Sequence, residues 1–266
     1  MVSKKTILCI FFFCSALSLF SQTEWVGDFQ LNGTVLVGYR GMAANVIIPE
    51  NLGITEISRR AFSISNSRNI TSLTIPASVT SIGDRTPFDY CNNLMQINVD
   101  ERNIFFRSID GILFNKDLTR IIRYPPAKQG QTYVIPNSVR TIGYGAFSNC
   151  INLTNITIPT SVTSIDYEAF YGCRSLINII IPNGVTSIGY YTFGGCYSLT
   201  NIIIPDSVTY IGMNAFAYCR NLTNIIIPAS VNEISGGAFG DCDALLPSVR
   251  QEIEKRFGNV FTPEGG

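Results

Sequence analysis

The chain has 266 residues, of which 46% are hydrophobic and 14% charged, with 19 basic and 19 acidic side chains. A near-neutral chain supplies neither the counterion release on which nucleic-acid binding depends nor a basic patch for an anionic membrane, so neither partner is expected. Histidine is absent, which removes the commonest general base and the commonest metal ligand.

The first residues have the pattern of an export signal. Lys4 and Lys5 provide a positive start, and residues 6–20 form an apolar core before polar Gln22. This core is shorter than the roughly 20 apolar residues that a membrane-spanning helix requires. We therefore expect residues 1–21 to be a cleaved signal peptide. The mature chain would have no transmembrane span and would be exported to the periplasm, the outer surface or the medium.

Residues 22–47 are predicted to form a β cap over the N-terminal end of the fold. Apolar residues such as Trp25 and Val35 stand beside turn signals at Asn32-Gly33 and Arg40-Gly41. This combination is typical of short strands joined by tight turns.

Residues 48–249 are predicted to be a stack of repeats. Two irregular copies begin at Ile48 and Ile75, and five regular copies follow, each 23 residues after the last. The regular copies begin at Ile135, Ile158, Ile181, Ile204 and Ile227. The same step separates two further columns, Phe147, Phe170, Phe193, Phe216 and Phe239, and Cys150, Cys173, Cys196, Cys219 and Cys242. A period of this length indicates a solenoid, in which each coil packs against its neighbours.

The period breaks at residues 98–134, where the sequence predicts a β-hairpin. Asp110-Gly111 precedes the apolar run 112–114, a polar turn follows at 115–117, and a second run ends before Pro125-Pro126. We expect this hairpin to be an atypical unit set into the stack.

Each regular copy predicts one strand and one set of buried side chains. Strand alternation places Ile202 inward and its neighbours Asn201 and Ile203 outward, and Pro205 then ends the strand because it has no N–H to donate. The full inward set of this copy is Ile204, Val208, Ile211, Phe216, Cys219 and Leu222. Stacking the coils would bury a continuous core and pair the strands in parallel.

A helix at residues 247–258 is predicted to cap the C-terminal end, followed by a tail at 259–266. Its apolar face consists of Val249, Ile253 and Phe257. Gly258 would end the helix, and Ser248 with Gln251 offers a capping box at its start.

The repeat pattern L-x-x-I-x-I-P-x-x-V-x-x-I-G-x-x-A-F-x-x-C, carried by Leu176 to Cys196 and by Leu199 to Cys219, resembles the BspA-like leucine-rich repeat family, also called the Treponema pallidum type. Residues 108–117, followed by Arg123-Tyr124-Pro125, are similar to the atypical units of that family. The resemblance covers about residues 31–249. It implies a right-handed leucine-rich repeat solenoid with a parallel sheet on the concave face, and turns or 3-10 segments elsewhere. It also implies exported or surface-displayed proteins that bind host matrix proteins, plasma proteins or other cells.

Six cysteines follow the leader, Cys91 and the five of the repeat column. An even number in an exported chain favours disulfides, but cysteines stacked in one column have parallel Cβ vectors that suit a bridge poorly. We expect free, buried thiols, with bridging as the alternative. A metal site is not expected, because one column cannot build a tetrahedron.

The outward strand positions are the candidate ligand-binding residues. One column contains Thr157, Ile180, Ile203 and Ile226, and the other contains Asn155, Asn178, Asn201 and Asn224. A contiguous apolar strip indicates a contact site, although β propensity alone would also favour isoleucine there. The asparagines could bind the backbone of a partner, or one another in a ladder.

Aromatic residues form a further column. Tyr144, Tyr167 and Tyr190 share one bend position, which Met213 continues. Such a stack could anchor a protein or a sugar, or it could shield the bends, and the sequence leaves both open.

These features predict an exported, non-catalytic module that binds a host matrix or plasma protein, or another cell surface, through its sheet in adhesion. The alternative is a structural or self-associating envelope protein that uses the same strip as a homo-oligomer interface. No carboxylate pair, nucleophile with a base, or phosphate loop is recognisable outside the repeat. Asp166, Glu168 and Asp206 are interpreted as solvated turn positions, and no cofactor is expected.

Overall fold

The computed structural model describes residues 23–63, 65–83, 85 and 87–262. The expected signal peptide lies outside the described residues. Within them the chain winds into stacked coils, which contribute strands to one set of parallel ladders and shorter strands to a second set. The predicted parallel solenoid is confirmed.

Three antiparallel strands, β1 (Glu24–Val26), β2 (Phe29–Asn32) and β3 (Val35–Tyr39), precede the coils. The chain reverses at Gly27 and Gly33, whose positive φ angles of 61° and 59° cost glycine little. The ring of Tyr39 is buried 5.7 Å from that of Phe62 in the first coil. These strands therefore close the N-terminal end of the core.

The longer strands of the coils form two parallel sheets. The first consists of β4 (Asn45–Ile47), β6 (Ser72–Ile75) and β8 (Gln96–Val99). The second, which we call the long-strand sheet, consists of β12 (Thr132–Val134), β14 (Asn155–Thr157), β16 (Asn178–Ile180), β18 (Asn201–Ile203) and β20 (Asn224–Ile226). From β14 to β20, the middle residue of each strand is buried and its two neighbours are exposed.

Two-residue strands form the other set of ladders, which we call the short-strand ladder. They are β5 (Glu56–Ile57), β7 (Ser81–Ile82), β13 (Thr141–Ile142), β15 (Ser164–Ile165), β17 (Ser187–Ile188), β19 (Tyr210–Ile211) and β21 (Glu233–Ile234). Two 3-10 segments, η1 (Glu50–Leu52) and η2 (Ser65–Asn69), lie in the first irregular coil. Inward side chains of both strand sets, such as Ile202 and Ile211, meet in the same core cluster.

The atypical unit is a three-stranded meander rather than a single hairpin. Strand β10 (Ile112–Asn115) pairs antiparallel with both β9 (Phe106–Ile109) and β11 (Arg120–Arg123), and β11 pairs in parallel with β13. Alternation along β10 divides the core, because Leu113 packs in the N-terminal cluster whereas Ile112 and Phe114 pack in the C-terminal one.

The phenylalanine column forms a continuous stack of buried rings. Centroids of successive rings from Phe147 to Phe239 lie 5.2, 5.3, 5.5 and 5.3 Å apart, with interplanar angles of 13° or less. Tyr124 continues the stack on the N-terminal side and Phe261 on the C-terminal side. Every regular coil thus buries a phenylalanine ring at the same position.

The cysteines are buried and free, so the bridged alternative is wrong for the six described thiols. Four column thiols donate to the carbonyl oxygen of the column phenylalanine one coil earlier, and the first, Cys150, donates to the Tyr124 carbonyl at 3.7 Å. The Sγ–O distances are 3.0 Å from Cys173 to Phe147, 3.3 Å from Cys196 to Phe170, 3.2 Å from Cys219 to Phe193 and 3.1 Å from Cys242 to Phe216. Cysteine therefore fills a small apolar slot and also satisfies a buried carbonyl.

Two bend positions of each regular coil have a left-handed backbone. The first column, with φ from 48° to 69°, is Gly145, Glu168, Tyr191, Asn214 and Gly237. The second, with φ from 54° to 72°, is Asn149, Gly172, Gly195, Tyr218 and Asp241. Glycine, asparagine and aspartate tolerate this conformation best, so Glu168, Tyr191 and Tyr218 are the residues that it strains.

The C-terminal helix α1 (Pro247–Phe257) packs its predicted face against the last coil, with Ile253 buried and Val249 and Phe257 half-buried. The predicted capping box is wrong. The N-cap residue is Leu246, which makes no side-chain cap, and Pro247 takes the first helical turn. Ser248 already lies inside the helix, so its hydroxyl cannot cap the start, and proline suits this position because it has no N–H to satisfy.

We expect Phe193→Ala to lower the free energy of unfolding by about 3–5 kcal/mol, because it removes a ring between two stacked neighbours and leaves a cavity. Thermal unfolding followed by circular dichroism measures the change. Met213→Ala, at a half-exposed bend position, is the control and should change the melting temperature far less. A Phe193→Ala melt identical to wild type would contradict the stacking.

We also expect stability to fall at alkaline pH because of the buried thiols. Burial raises the pKa of Cys173 to about 12, whereas an unfolded thiol ionises near 8.5. The raised pKa adds its full contribution to the free energy of unfolding below about pH 8.5. This contribution is lost as the pH rises towards 12. Cys173→Ser keeps a donor for Phe147 but does not ionise, so its melting temperature should fall less than that of wild type between pH 8 and 10.5. An equal fall in both proteins would be evidence against this account.

Candidate functional site

The long-strand sheet presents the predicted ligand-binding residues on its outer surface, as the alternation required. Asn155, Asn178, Asn201 and Asn224 form one exposed column, and Thr157, Ile180, Ile203 and Ile226 form the other. The register pairs Asn178 with Asn201, and Ile180 with Ile203, directly across neighbouring strands, and the next pair of strands repeats it. We call this surface the Asn–Ile face.

The isoleucines of this face are unusually open to solvent. Ile180, Ile203 and Ile226 are 64%, 62% and 75% exposed. Val134 on β12 is 68% exposed and lies opposite Thr157, so it extends the same column. Strands lie about 4.8 Å apart, which makes the strip from Val134 to Ile226 about 19 Å long.

Val134 was missed by the sequence reasoning. It stands immediately before the Ile135-Pro136 pair that begins the first regular copy, so the repeat register itself contained the signal. The equivalent column of the N-terminal sheet reads Ile47, Thr74 and Asn98 and has only one apolar member. The apolar strip therefore belongs to the regular repeats.

The Asn–Ile face carries no charge, since strands β12 to β20 contain no acidic or basic residue. Among the described residues no side-chain hydrogen bond joins one column asparagine to the next, and Asn201 Nδ2 donates instead to the neighbouring Thr200 hydroxyl at 3.4 Å. A closed asparagine ladder is therefore not formed. The amide groups remain on the surface beside the apolar strip.

An aromatic and basic cluster borders this face. Tyr197 lies between two guanidinium groups. Its ring centroid is 5.3 Å from Cζ of Arg174 and 5.5 Å from Cζ of Arg220. All three residues occupy the position after the column cysteine, on the turns that lead into β16, β18 and β20. Both arginines are exposed, so this rim is positively charged.

The tyrosine column lies on the bends that follow the short strands, and its members have different surroundings. Tyr144 is half-buried and donates its hydroxyl to the Glu168 carboxylate. Burial, and secondarily this carboxylate, raise the pKa of Tyr144. Tyr167 is 57% exposed, and the Tyr190 ring meets that of Tyr191 edge-on at 4.6 Å.

The interpretation of Asp166 and Glu168 as solvated turn positions is wrong. Arg120 of the meander donates to Asp166 at 2.6 Å, and Glu168 accepts from Tyr144. Both acids are half-buried, whereas Asp206 is exposed as expected. The partners of Asp166 and Glu168 lie 46 and 24 residues away in the chain, so no local pattern could indicate them.

Within the described ranges no group of three or more His, Cys, Asp or Glu side chains is placed to hold a metal ion. The column thiols are surrounded by the core, and burial raises the pKa of Cys91 and Cys242 to about 12. Thiols of this kind remain protonated at neutral pH and are poor nucleophiles. Among the described residues no helix is both long enough and apolar enough to cross a membrane.

The fold and the face together define a class, a parallel β-solenoid of short repeats that presents an uncharged apolar strip on one sheet. A family model of the BspA type leucine rich repeat region matches residues 40–125 and 127–246, in six copies. This match covers well over half of the chain, which therefore belongs to the BspA-type leucine-rich repeat family.

Solved structures agree with this assignment. A leucine-rich cell surface protein from Faecalibacterium prausnitzii is 30% identical, with a TM-score of 0.68 over 81% of this chain and 62% of its own. A leucine-rich repeat protein from Eubacterium ventriosum is 28% identical, with a TM-score of 0.65 over 76% of this chain and 59% of its own. The pneumococcal vaccine antigen PcpA shares the fold at 22% identity, with a TM-score of 0.64 over 79% of this chain and 59% of its own.

The chain thus spans about three fifths of the length of these solved structures. No curated protein matches it.

Proposed function

We propose that this chain is an exported, non-catalytic module that binds a protein through the Asn–Ile face. The partner is a host matrix or plasma protein, or a protein on another cell, and the contact serves adhesion. The observation that carries the proposal is the strip of aligned isoleucines, each more than 60% exposed on adjacent strands.

Exposed apolar side chains in a contiguous row favour a contact surface, because burying each isoleucine against a partner would contribute about 1.5–3 kcal/mol. The asparagine amides beside the strip can both donate to and accept from a partner backbone. The Arg174–Tyr197–Arg220 cluster at the rim supplies the two residue types that most often dominate protein interfaces. An apolar centre with a polar, charged rim is the usual arrangement of such an interface.

Export and surface location belong to the same proposal. The apolar leader predicts export. The F. prausnitzii structure, at 30% identity, is described as that of a cell surface protein. Repeat scaffolds generally act by binding. Two of the acids, Asp166 and Glu168, are held in structural pairs with Arg120 and Tyr144.

Binding can be measured by surface plasmon resonance on immobilised fibronectin, laminin and fibrinogen, as representative matrix and plasma proteins. Wild type should bind at least one of them, and Ile180→Asp with Ile203→Asp should abolish that binding, because two carboxylates would be desolvated in the apolar strip. A milder pair, Ile180→Thr with Ile203→Thr, copies the residue already present at Thr157 and should weaken binding about tenfold or more.

The matched control is Met42→Asp with Ile104→Asp, which adds the same charge at two exposed apolar residues outside the face. Circular dichroism should show all these variants folded. Unchanged binding of the Ile180→Asp and Ile203→Asp protein, or no binding by wild type to any of the three proteins, would contradict the proposal.

Self-association through the same strip is the competing outcome. Light scattering across a concentration series distinguishes the two. A strict monomer supports a foreign partner. A dimer that Ile180→Asp with Ile203→Asp dissociates would instead indicate that the strip is a homo-oligomer interface.

A further inference from the structure

A groove of about 760 Å³ opens where the meander meets the short-strand ladder. We call it the hairpin groove. Its lining includes Phe106, Arg120, Tyr144, Asp166 and Tyr167. None of these residues belongs to the Asn–Ile face. Its volume lies within the range of about 300–1,000 Å³ that is usual for small-ligand sites.

The groove exists because the short-strand ladder is interrupted. Strands β13 and β15 are joined by the bond from the Asp166 N–H to the Ile142 carbonyl at 2.9 Å, and β17 and β19 by the bond from Gly212 to Ile188 at 2.7 Å. Within the described part of the chain, no strand pairing joins β15 to β17 or β7 to the meander. The ladder is therefore open in two places, between β7 and the meander and between β15 and β17, and the residues that line the groove extend from Ile82 on β7 to Ser187 on β17.

Polar groups in the groove are held in fixed positions. Asp166 accepts from Arg120 at 2.6 Å and from the Ser164 hydroxyl at 3.2 Å. Asn115 also lines the groove, and its Oδ1 accepts from the Arg120 backbone N–H at 2.7 Å. The column position of Asp166 is glycine in three of the other regular copies, Gly143, Gly189 and Gly212. The Arg120 guanidinium lies against Gly143, where an added Cβ would come within 3.2 Å of its Nε, and it continues to Asp166 one coil further on. The pair gives the groove an ordered set of donors and acceptors.

Aromatic rings supply the rest of the surface. Phe106, Tyr144 and Tyr167 line the groove, and the Tyr167 side chain is 57% exposed. The Tyr167 ring lies directly on Gly189, where an added Cβ would come within 2.3 Å of its Cδ1. Glycine at this position therefore permits the orientation of the ring.

This combination fits one ligand chemistry in particular. The pairing of Arg120 with Asp166 cancels the charges in the lining, so neither an anion nor a cation gains much from entering. Sugar hydroxyls both donate and accept hydrogen bonds, and the C–H faces of a pyranose ring pack on aromatic side chains. We propose that the hairpin groove binds a neutral oligosaccharide, with Tyr167 as the stacking platform and Asp166 and Arg120 as the partners of its hydroxyls.

A glycan array that carries neutral and sulfated oligosaccharides tests the proposal, followed by isothermal titration calorimetry with the best neutral hexasaccharide. Wild type should bind a neutral glycan. Tyr167→Ala should weaken that binding at least about tenfold through loss of the ring, whereas Tyr167→Phe, which keeps the ring, should remain within about threefold of wild type.

Two further variants make the test specific. Gly189→Ala should also weaken binding, because its methyl group displaces the Tyr167 ring without changing any polar group in the groove. Tyr197→Ala, which removes an aromatic ring outside the groove, should leave binding unchanged. Ile180→Thr with Ile203→Thr should also bind the glycan normally, so this proposal and the proposed protein-binding function can fail independently.

Three results would overturn the proposal. The first is that no neutral glycan on the array binds. The second is that only sulfated glycans bind, which would indicate an anion site. The third is that a neutral glycan binds Tyr167→Ala and Gly189→Ala as tightly as wild type, which would place the binding elsewhere on the molecule.

Discussion

The structure depends on stacking identical coils in register, and the phenylalanine column shows this constraint most directly. Rings about 5 Å apart match the spacing of paired parallel strands, so one repeat length brings each ring over the last. From Cys173 onward, the column thiol of each coil satisfies the phenylalanine carbonyl of the coil before it. In the regular coils the shared 23-residue step keeps the rings, the thiol bonds and the strand pairing in register together. The irregular coils keep the strand pairing, but their rings are tilted, with Phe62 and Phe88 6.0 Å apart at 32°.

The same constraint separates positions that hold the fold from positions that are free to vary. Inward residues such as Phe216 and Leu222 are fully buried and repeat in every regular coil. Outward positions are not needed for the core, so their composition can follow function. The Asn–Ile face results from repetition, because the same outward pair recurs on neighbouring strands. The hairpin groove results from its interruption, because the meander brings Arg120 to an acid that one coil alone carries.

Periodicity was sufficient to predict the regular part of the molecule. It predicted the strands, the inward and outward columns and the buried free thiols, since each depends on the spacing of neighbouring residues. The missed features depend on residues distant in the chain. The partner of Asp166 comes from the meander, and the partner of Glu168 is the column tyrosine of the preceding coil, Tyr144. The helix start was misjudged for a local reason, since Pro247 was a stronger signal than Ser248. The roles of the face and the groove remain proposals, because a repeat pattern specifies geometry and not a ligand.

Native-state labelling of neighbouring strand positions tests the central assignment of inward and outward residues most directly. Cysteine can be placed at Ile203 or at Ile202, and its reaction with iodoacetamide followed by mass spectrometry. The structure predicts that Ile203→Cys reacts at the rate of an unstructured peptide, whereas Ile202→Cys, at a position only 5% exposed, stays protected until the protein unfolds. Equal rates at both positions, or faster reaction at position 202, would contradict the register on which the fold, the Asn–Ile face and the groove are built.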